Sequence, residues 1–318
     1  MRAIVTGAAG FIGSHLCEAL VARGDEVVGI DDLSTGRVEN IHGIGYHPRF
    51  SFIQGNAGDW DLMGRWTETH DCVYHLASSV GVKRIIDRPV EAVRNIVGVT
   101  DTVLALCSQY HKPVLVTSTS EVYGKGNGVP FREDDDVVLG PTSSPRWAYA
   151  AAKMTDEFLA LAYYRETELP IRIVRLFNTV GPRQTGQYGM VIPRFIEQAK
   201  AGEPLTVYGN GEQTRCFASV HDIVPGLIAL MDCEAAAGRV VNLGTDEEIS
   251  IDRLADWVTV AVHGENAPIT VHYMSHEQAY GIAFDDMQRR IPDLTRAREL
   301  IGWAPKWGLR DILEELCR

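Results

Sequence analysis

No Cys-x-x-Cys pair occurs among the six cysteines (Cys17, Cys72, Cys107, Cys216, Cys233 and Cys317), and no histidines gather at ligand spacing. The usual sequence grounds for a zinc site are therefore missing, and no metal is expected. Scattered thiols fit a reduced cytosolic protein better than a disulfide framework. No apolar run reaches 18 residues, so no membrane association is expected. The N-terminus enters a strand pattern at once, where a secretory leader would open on basic and then apolar residues. The expected compartment is the cytoplasm. Positive charge is in deficit, with 30 Lys and Arg against 42 Asp and Glu and a net charge of -12. Such a balance argues against a nucleic-acid partner. It leaves room for an anionic small molecule, because a few converging arginines make a local positive site. Repeats and low-complexity segments are also missing.

What is present reads as a soluble globular chain of 318 residues, 45% hydrophobic and 23% charged. Short apolar runs alternate with helical patterns through the first half. Ala3-Ile4-Val5, Glu26 to Ile30, Phe50 to Gln54, Cys72 to His75, Val114 to Thr117 and Ile171 to Leu176 read as strands. Phe11 to Arg23, roughly Pro89 to Tyr110, and the segment carrying Tyr149 and Lys153 read as helices. Nearly all-apolar strands separated by helices indicate an α/β fold, a doubly wound parallel sheet of Rossmann type buried on both faces. From about Gly181 the pattern becomes irregular. The expected division is residues 1–180 as the dinucleotide-binding domain and 181–318 as a smaller α/β substrate-binding lobe, with an interleaved boundary.

Gly7, Gly10 and Gly13 lie between the first strand and the first helix. Glycines here permit a tight turn and close approach of a pyrophosphate to free N–H groups at the helix start, where Phe11 and Ile12 follow. Asp31 comes 18 residues after Gly13, at the end of the second strand. A carboxylate there can bind ribose hydroxyls and would repel the extra phosphate of NADP, so with Asp32 beside it NAD is the expected cofactor. Asn56 and Ala57, after the third strand, fall where adenine contacts arise. Ala77 after the fourth strand and Asn95 on the next helix are further cofactor candidates; for Asn95 a structural hydrogen bond is the competing reading.

Tyr149 and Lys153 are four apart and project from one helical face. A free tyrosine titrates near pKa ~10, so its use as a base near neutrality needs a drop of roughly 3 units, about 4 kcal/mol. A neighbouring ammonium and a cationic nicotinamide would act in that direction. By itself the pair would be an aromatic and a solvated lysine; the glycine loop upstream makes it a catalytic candidate.

These stretches together resemble the extended short-chain dehydrogenase/reductases, the NAD-dependent nucleotide-sugar epimerases, dehydratases and decarboxylases. The resemblance runs through Gly7-x-x-Gly10-x-x-Gly13, Ser118-Thr119-Ser120-Glu121-Val122-Tyr123-Gly124, Tyr149-x-x-x-Lys153 and Phe177-Asn178-x-x-Gly181-Pro182-Arg183. It continues in Tyr208-Gly209-x-Gly211-x-Gln213-x-Arg215-x-Phe217 and Arg290-Ile291-Pro292-Asp293. It implies that Thr119 bonds the reacting O4 of a sugar, that Tyr149 takes the O4 proton as hydride leaves C4, and that Lys153 holds the nicotinamide ribose. It also makes Asn178 a sugar or diphosphate contact, and Arg215 and Arg290 the diphosphate-binding arginines. Arg183, Arg194 and Arg146 are candidates for a substrate carboxylate, Arg146 being placed three residues before Tyr149. For Arg183 and Arg194 a structural salt bridge is the competing reading.

All such enzymes form a 4-keto sugar and differ in the fate of that intermediate. The Ser-Thr-Ser-Glu-Val-Tyr-Gly string most resembles UDP-glucuronate decarboxylases, including UDP-xylose synthases and the bacterial decarboxylase of lipid A modification. Arg146-Trp147-Ala148-Tyr149 resembles the segment around the catalytic Tyr of UDP-apiose/xylose synthases, and the run from Tyr280-Gly281 through Phe284-Asp285-Asp286 to Arg290-Ile291-Pro292-Asp293 resembles that of the same synthase and of the lipid A enzyme. In those decarboxylases the positions of Ser120, Glu121 and Arg290 are linked to C5 and the carboxylate; Glu121 would protonate C5 or discourage a solvated carboxylate. A 4,6-dehydratase would carry an acid where Ser120 stands, and an apiose-forming synthase a cysteine. A 4-epimerase of UDP-glucose/galactose, a UDP-hexosamine or UDP-glucuronate is the alternative, since Met190-Val191-Ile192-Pro193-Arg194-Phe195 resembles the uridine-contacting stretch of some UDP-hexosamine epimerases. A cofactor-sensing module without catalysis is disfavoured by the joint presence of Thr119, Tyr149 and Lys153. The family also implies a homodimer through the helices near Pro89–Tyr110 (Val97, Val103, Leu104, Leu106) and Tyr149–Arg165 (Phe158, Leu159, Leu161, Ala162), the alternative being that these residues are core.

Overall fold

The computed structural model describes residues 1–78, 88–126, 128–186, 190–275, 277–278 and 287–318. The expected run Tyr280-Gly281 to Asp286 lies outside the described residues. Strands β1 (Arg2–Thr6), β2 (Glu26–Asp31), β3 (Phe50–Gln54), β4 (Cys72–His75), β5 (Val114–Thr119) and β6 (Ile171–Leu176) carry the valine- and isoleucine-rich runs. With Arg239–Leu243 they make a parallel sheet in which β3, β2, β1, β4, β5, β6 and that last strand lie side by side. Strand order reverses between β1 and β4, which opens a crevice at their carboxyl ends.

The period-two alternation of a strand is visible on β1. Ala3 and Val5 join one buried cluster, under α1 (Phe11–Arg23); Ile4 joins the other, under α2 (Trp60–Thr69), α3 (Pro89–Gln109) and α4 (Ala148–Thr167). Both faces are therefore apolar, as the continuous hydrophobic strands required. Val103, Leu104 and Leu106 of α3 are fully buried in this second cluster. They are core and not subunit-facing surface, which corrects part of the expected dimer face. Phe158 of α4, by contrast, is 66% exposed.

Helix α5 (Val191–Ala201) is followed by α6 (Val220–Asp232), which packs back into the first cluster through Ile223, Val224 and Leu227. The chain beyond 181 thus returns to the main sheet at 220–243 before leaving it again. A separate cluster, with Ile192, Phe195, Val207, Leu254, Val258 and Ile312, is built from α5, Leu205–Tyr208, α7 (Ile251–His263) and α9 (Leu309–Cys317), with α8 at Thr295–Ile301 between. It stands over the end of the sheet where the crevice opens. Among the described residues no helix is long and apolar enough to cross a membrane, and no group of three His, Cys, Asp or Glu is placed to hold a metal.

Candidate active site

One cavity of about 520 Å³ runs along the carboxyl ends of the sheet and is roofed by the irregular second half of the chain. At one end is the glycine turn. Gly7 has a φ of 72°, a left-handed conformation, and a Cβ there would lie 2.9 Å from the Ala77 nitrogen. A Cβ on Gly13 would run into the carbonyl oxygen of Gly7. Helix α1 starts at Phe11 with no side-chain cap, so its first N–H groups are available to an anion. Asp31 is buried, and its carboxylate accepts from the N–H of Ala9 at 3.0 Å and of Leu33 at 2.8 Å. Burial pushes its pKa up against these two bonds. Asp32 accepts from Ser34 N–H, and Asn56 caps its own turn through Gly58 N–H. These residues fit a dinucleotide: a close backbone cradle for phosphate and a fixed carboxylate at the ribose position. Phe11, Ile12, Ala57, Ala77 and Asn95 line the same cavity. Gly13→Ala is expected to weaken NAD binding by at least ~10-fold in a fluorescence-quenching titration, since the helix could no longer pack on the turn.

At the other end β5 delivers Thr119, whose hydroxyl caps the turn Ser120–Tyr123 by accepting from Glu121 N–H at 3.2 Å. Pro145 starts the short turn Pro145–Trp147 that runs into α4 and brings the Tyr149 phenol toward the Thr119 hydroxyl. Tyr149, Lys153, Thr119 and the buried Ser120 all line the cavity. Burial and the Glu121 charge push the Tyr149 pKa up, and only the Thr119 bond opposes them. Lys153, the residue expected to lower it, holds its Nζ 2.8 Å from Asp156 Oδ2.

Glu121 is the most strongly determined group in the site. Arg290 Nη1 lies 2.5 Å from its Oε1, and Arg146 Nη2 contacts Oε2. Burial opposes the charge, but the two guanidinium groups prevail and hold its pKa down at about 2. Held so low, the carboxyl is ionised near neutrality, which favours the second of its two expected roles, a charge beside a substrate carboxylate, over donation of a proton to C5. Arg146 reaches the site from the turn ahead of α4.

The other arginines are spread along the cavity. Arg215 Nη1 donates to the carbonyl oxygens of Thr214 and Met287. Arg183, at a φ of 72°, donates to Ser14 and Glu18 of α1, the salt bridge that competed with a substrate role. Arg194 donates to the Thr206 carbonyl and lies 4.0 Å over the Tyr208 ring. Asn178 donates to the Cys216 carbonyl and lines the cavity. Sequence reasoning passed over Arg37, Tyr208 and Asp156. Arg37 lies in an irregular connection and Tyr208 was read as motif only; Asp156 was legible as a carboxylate three residues after Lys153.

Comparison with known proteins places this geometry in context. The family described as GDP-mannose 4,6 dehydratase matches residues 4–316. The chain is 38% identical over 322 residues to the UDP-N-acetyl-alpha-D-glucosaminuronate decarboxylase of Bacillus cytotoxicus, covering 98% of this chain and 97% of that one. It is 36% identical to UDP-glucuronic acid decarboxylase 1 of Arabidopsis thaliana, over 99% of this chain and 69% of the relative. Among solved structures, the UDP-glucuronic acid 4-epimerase of Bacillus cereus, in complex with UDP-glucuronic acid and NAD, aligns with a TM-score of 0.88 at 31% identity, over 99% of this chain and 97% of that one.

Proposed function

Since the chain belongs to the GDP-mannose 4,6-dehydratase family of extended short-chain dehydrogenase/reductases, an NAD-dependent group acting on nucleotide sugars, we propose that it decarboxylates UDP-glucuronate through a 4-keto intermediate. The observation that carries this reading is the ionised Glu121, held between the buried Arg146 and Arg290 next to Thr119 and Tyr149.

The glycine turn and Asp31 would hold NAD, which would supply reversible hydride transfer at C4. Thr119 and Tyr149 converge on one point, where the sugar O4 is held and its proton passes to the phenolate. Lys153 fixes the ribose side of the cavity. Once C4 is a ketone, the C6 carboxylate is β to it. The C5–C6 bond then breaks, carbon dioxide leaves, and the electron pair is delocalised onto the C4 oxygen, where Thr119 and Tyr149 donate. A proton from solvent water then adds at C5, and Tyr149 gives the O4 proton back as hydride returns to C4. The cluster of two guanidinium groups and one carboxylate carries a net charge of +1 and admits an anionic sugar. Departure of neutral carbon dioxide relieves repulsion between the substrate carboxylate and Glu121.

Purified protein incubated with NAD and UDP-glucuronate, followed by proton NMR, tests the reading. Loss of C6 with a new C5 methylene supports it. An intact hexuronate with inverted C4 makes the protein a 4-epimerase, the alternative that the likeness to the Bacillus cereus enzyme supports. No change in UDP-glucuronate, with turnover of UDP-N-acetylglucosaminuronate run in parallel, moves the activity to the 2-acetamido sugar.

The homodimer also belongs here. Phe158, exposed on α4, and Val90, 64% exposed on α3, are apolar surface on neighbouring helices that a second copy would cover. Phe158→Glu is expected to convert a dimer to monomer in sedimentation at micromolar concentration; a wild-type monomer would remove the proposal. The free cysteines support a reducing, cytoplasmic setting.

A further inference from the structure

Lys153 does not stand alone on its helix. Its ammonium donates to Asp156 Oδ2 at 2.8 Å, with the two side chains 3% and 0% exposed. Tyr149, Lys153 and Asp156 are spaced i, i+4, i+7 and share one face of α4. Tyr149 and Lys153 line the cavity, and Asp156 lies behind them, in reach of the Thr100 hydroxyl of α3. Thr100 meets His75 Nε2 at 3.2 Å, His75 Nδ1 meets the Thr6 hydroxyl at 2.8 Å, and that hydroxyl accepts from Ala77 N–H at 3.2 Å. A polar chain thus joins the glycine-turn end of β1 to the lysine of the catalytic helix. A helix packed on a helix has no need of a carboxylate here, because a buried ion pair is commonly no more stabilising than a well-packed apolar pair.

We propose that Asp156 is a positioning residue: it fixes the Lys153 ammonium beneath the cofactor cavity and thereby sets the charge beside Tyr149, the base. The part concerning the base rests on the proposed role of Tyr149 as proton acceptor. Charged groups facing Tyr149 are Glu121 from the turn after β5, held by Arg146 and Arg290, and Lys153 and Asp156 from its own helix. Those facing Asp156 are Lys153 and Glu157 of α4, the latter paired with Arg175 of β6 at 2.7 Å. His75 of β4 is uncharged, because burial and the Lys153 charge press its pKa down to about 3. Burial, then Glu121, then Asp156 raise the Tyr149 pKa. Removing Asp156 therefore alters Tyr149 without disturbing the Glu121 cluster.

The test uses NAD-loaded protein with tyrosines labelled at the ring ζ carbon, the Tyr149 resonance being identified by its loss in Tyr149→Phe. Asp156→Asn, nearly isosteric, and the smaller Asp156→Ser are made in parallel and checked by circular dichroism; either folded variant decides. The titration midpoint of Tyr149 should fall by about 0.5–1 pH unit and NAD should bind severalfold more weakly. The acid limb of kcat/KM should move by the same amount. A midpoint within about 0.2 unit of wild type, with unchanged NAD affinity, overturns the proposal. The carbon resonance and NAD binding need no sugar, so a shifted midpoint without turnover would fault the proposed substrate and leave the role of Asp156 standing.

Discussion

Tyr149→Phe should lower kcat on UDP-glucuronate by about three orders of magnitude while NAD affinity stays within about twofold of wild type. Tyr149 lines the cavity beside Thr119, whereas the groups proposed to recognise a dinucleotide lie at the glycine turn and Asp31. Removing one oxygen therefore deletes the proposed proton acceptor and leaves the cofactor cradle intact. The phenylalanine ring fills the same space, so unfolding should be unaffected. Steady-state rates with parallel NAD titrations check this, and a variant that keeps full turnover would end the Tyr149 mechanism.

Glu121→Gln should have the second large effect, and on two observables. Without the carboxylate, the guanidinium groups of Arg146 and Arg290, both buried, lose their counter-charge. Breaking one side of a buried ion pair costs about 3 kcal/mol or more. Urea unfolding at pH 7 should show a loss of that order, with product formation falling below detection. The pH dependence has a definite sign. The folded pKa of about 2 lies below the ordinary value of 4.5. The stabilisation is therefore fully present above pH ~4.5 and is lost as pH falls from there toward 2. Wild type should show this acid-induced loss and the glutamine variant should not, so the two stability curves converge at low pH. Equal stabilities at pH 7 would mean that the arginines find other partners and that the cluster is not held by Glu121.

The local pieces of this protein were written in its sequence. Apolar strands with helical spacers specify a parallel sheet, because only burial on both faces tolerates runs such as Arg2–Thr6 and Ile171–Leu176. The glycine turn, Asp31 and the Tyr149–Lys153 pair were legible because each depends on short-range geometry: a φ sign, a strand end, a helical period. Three things needed the tertiary structure. Val103, Leu104 and Leu106 are core and not contact surface, since helical periodicity marks an apolar face without saying what covers it. Residues 220–243 rejoin the first sheet, which no local pattern records. The ionisation of Glu121 is set by Arg290, 169 positions away in the chain, and by Arg146 from a preceding turn. A pKa depends on charge and solvent within a few ångströms, so the sequence determined which groups are present, and folding decided which of them can hold a proton.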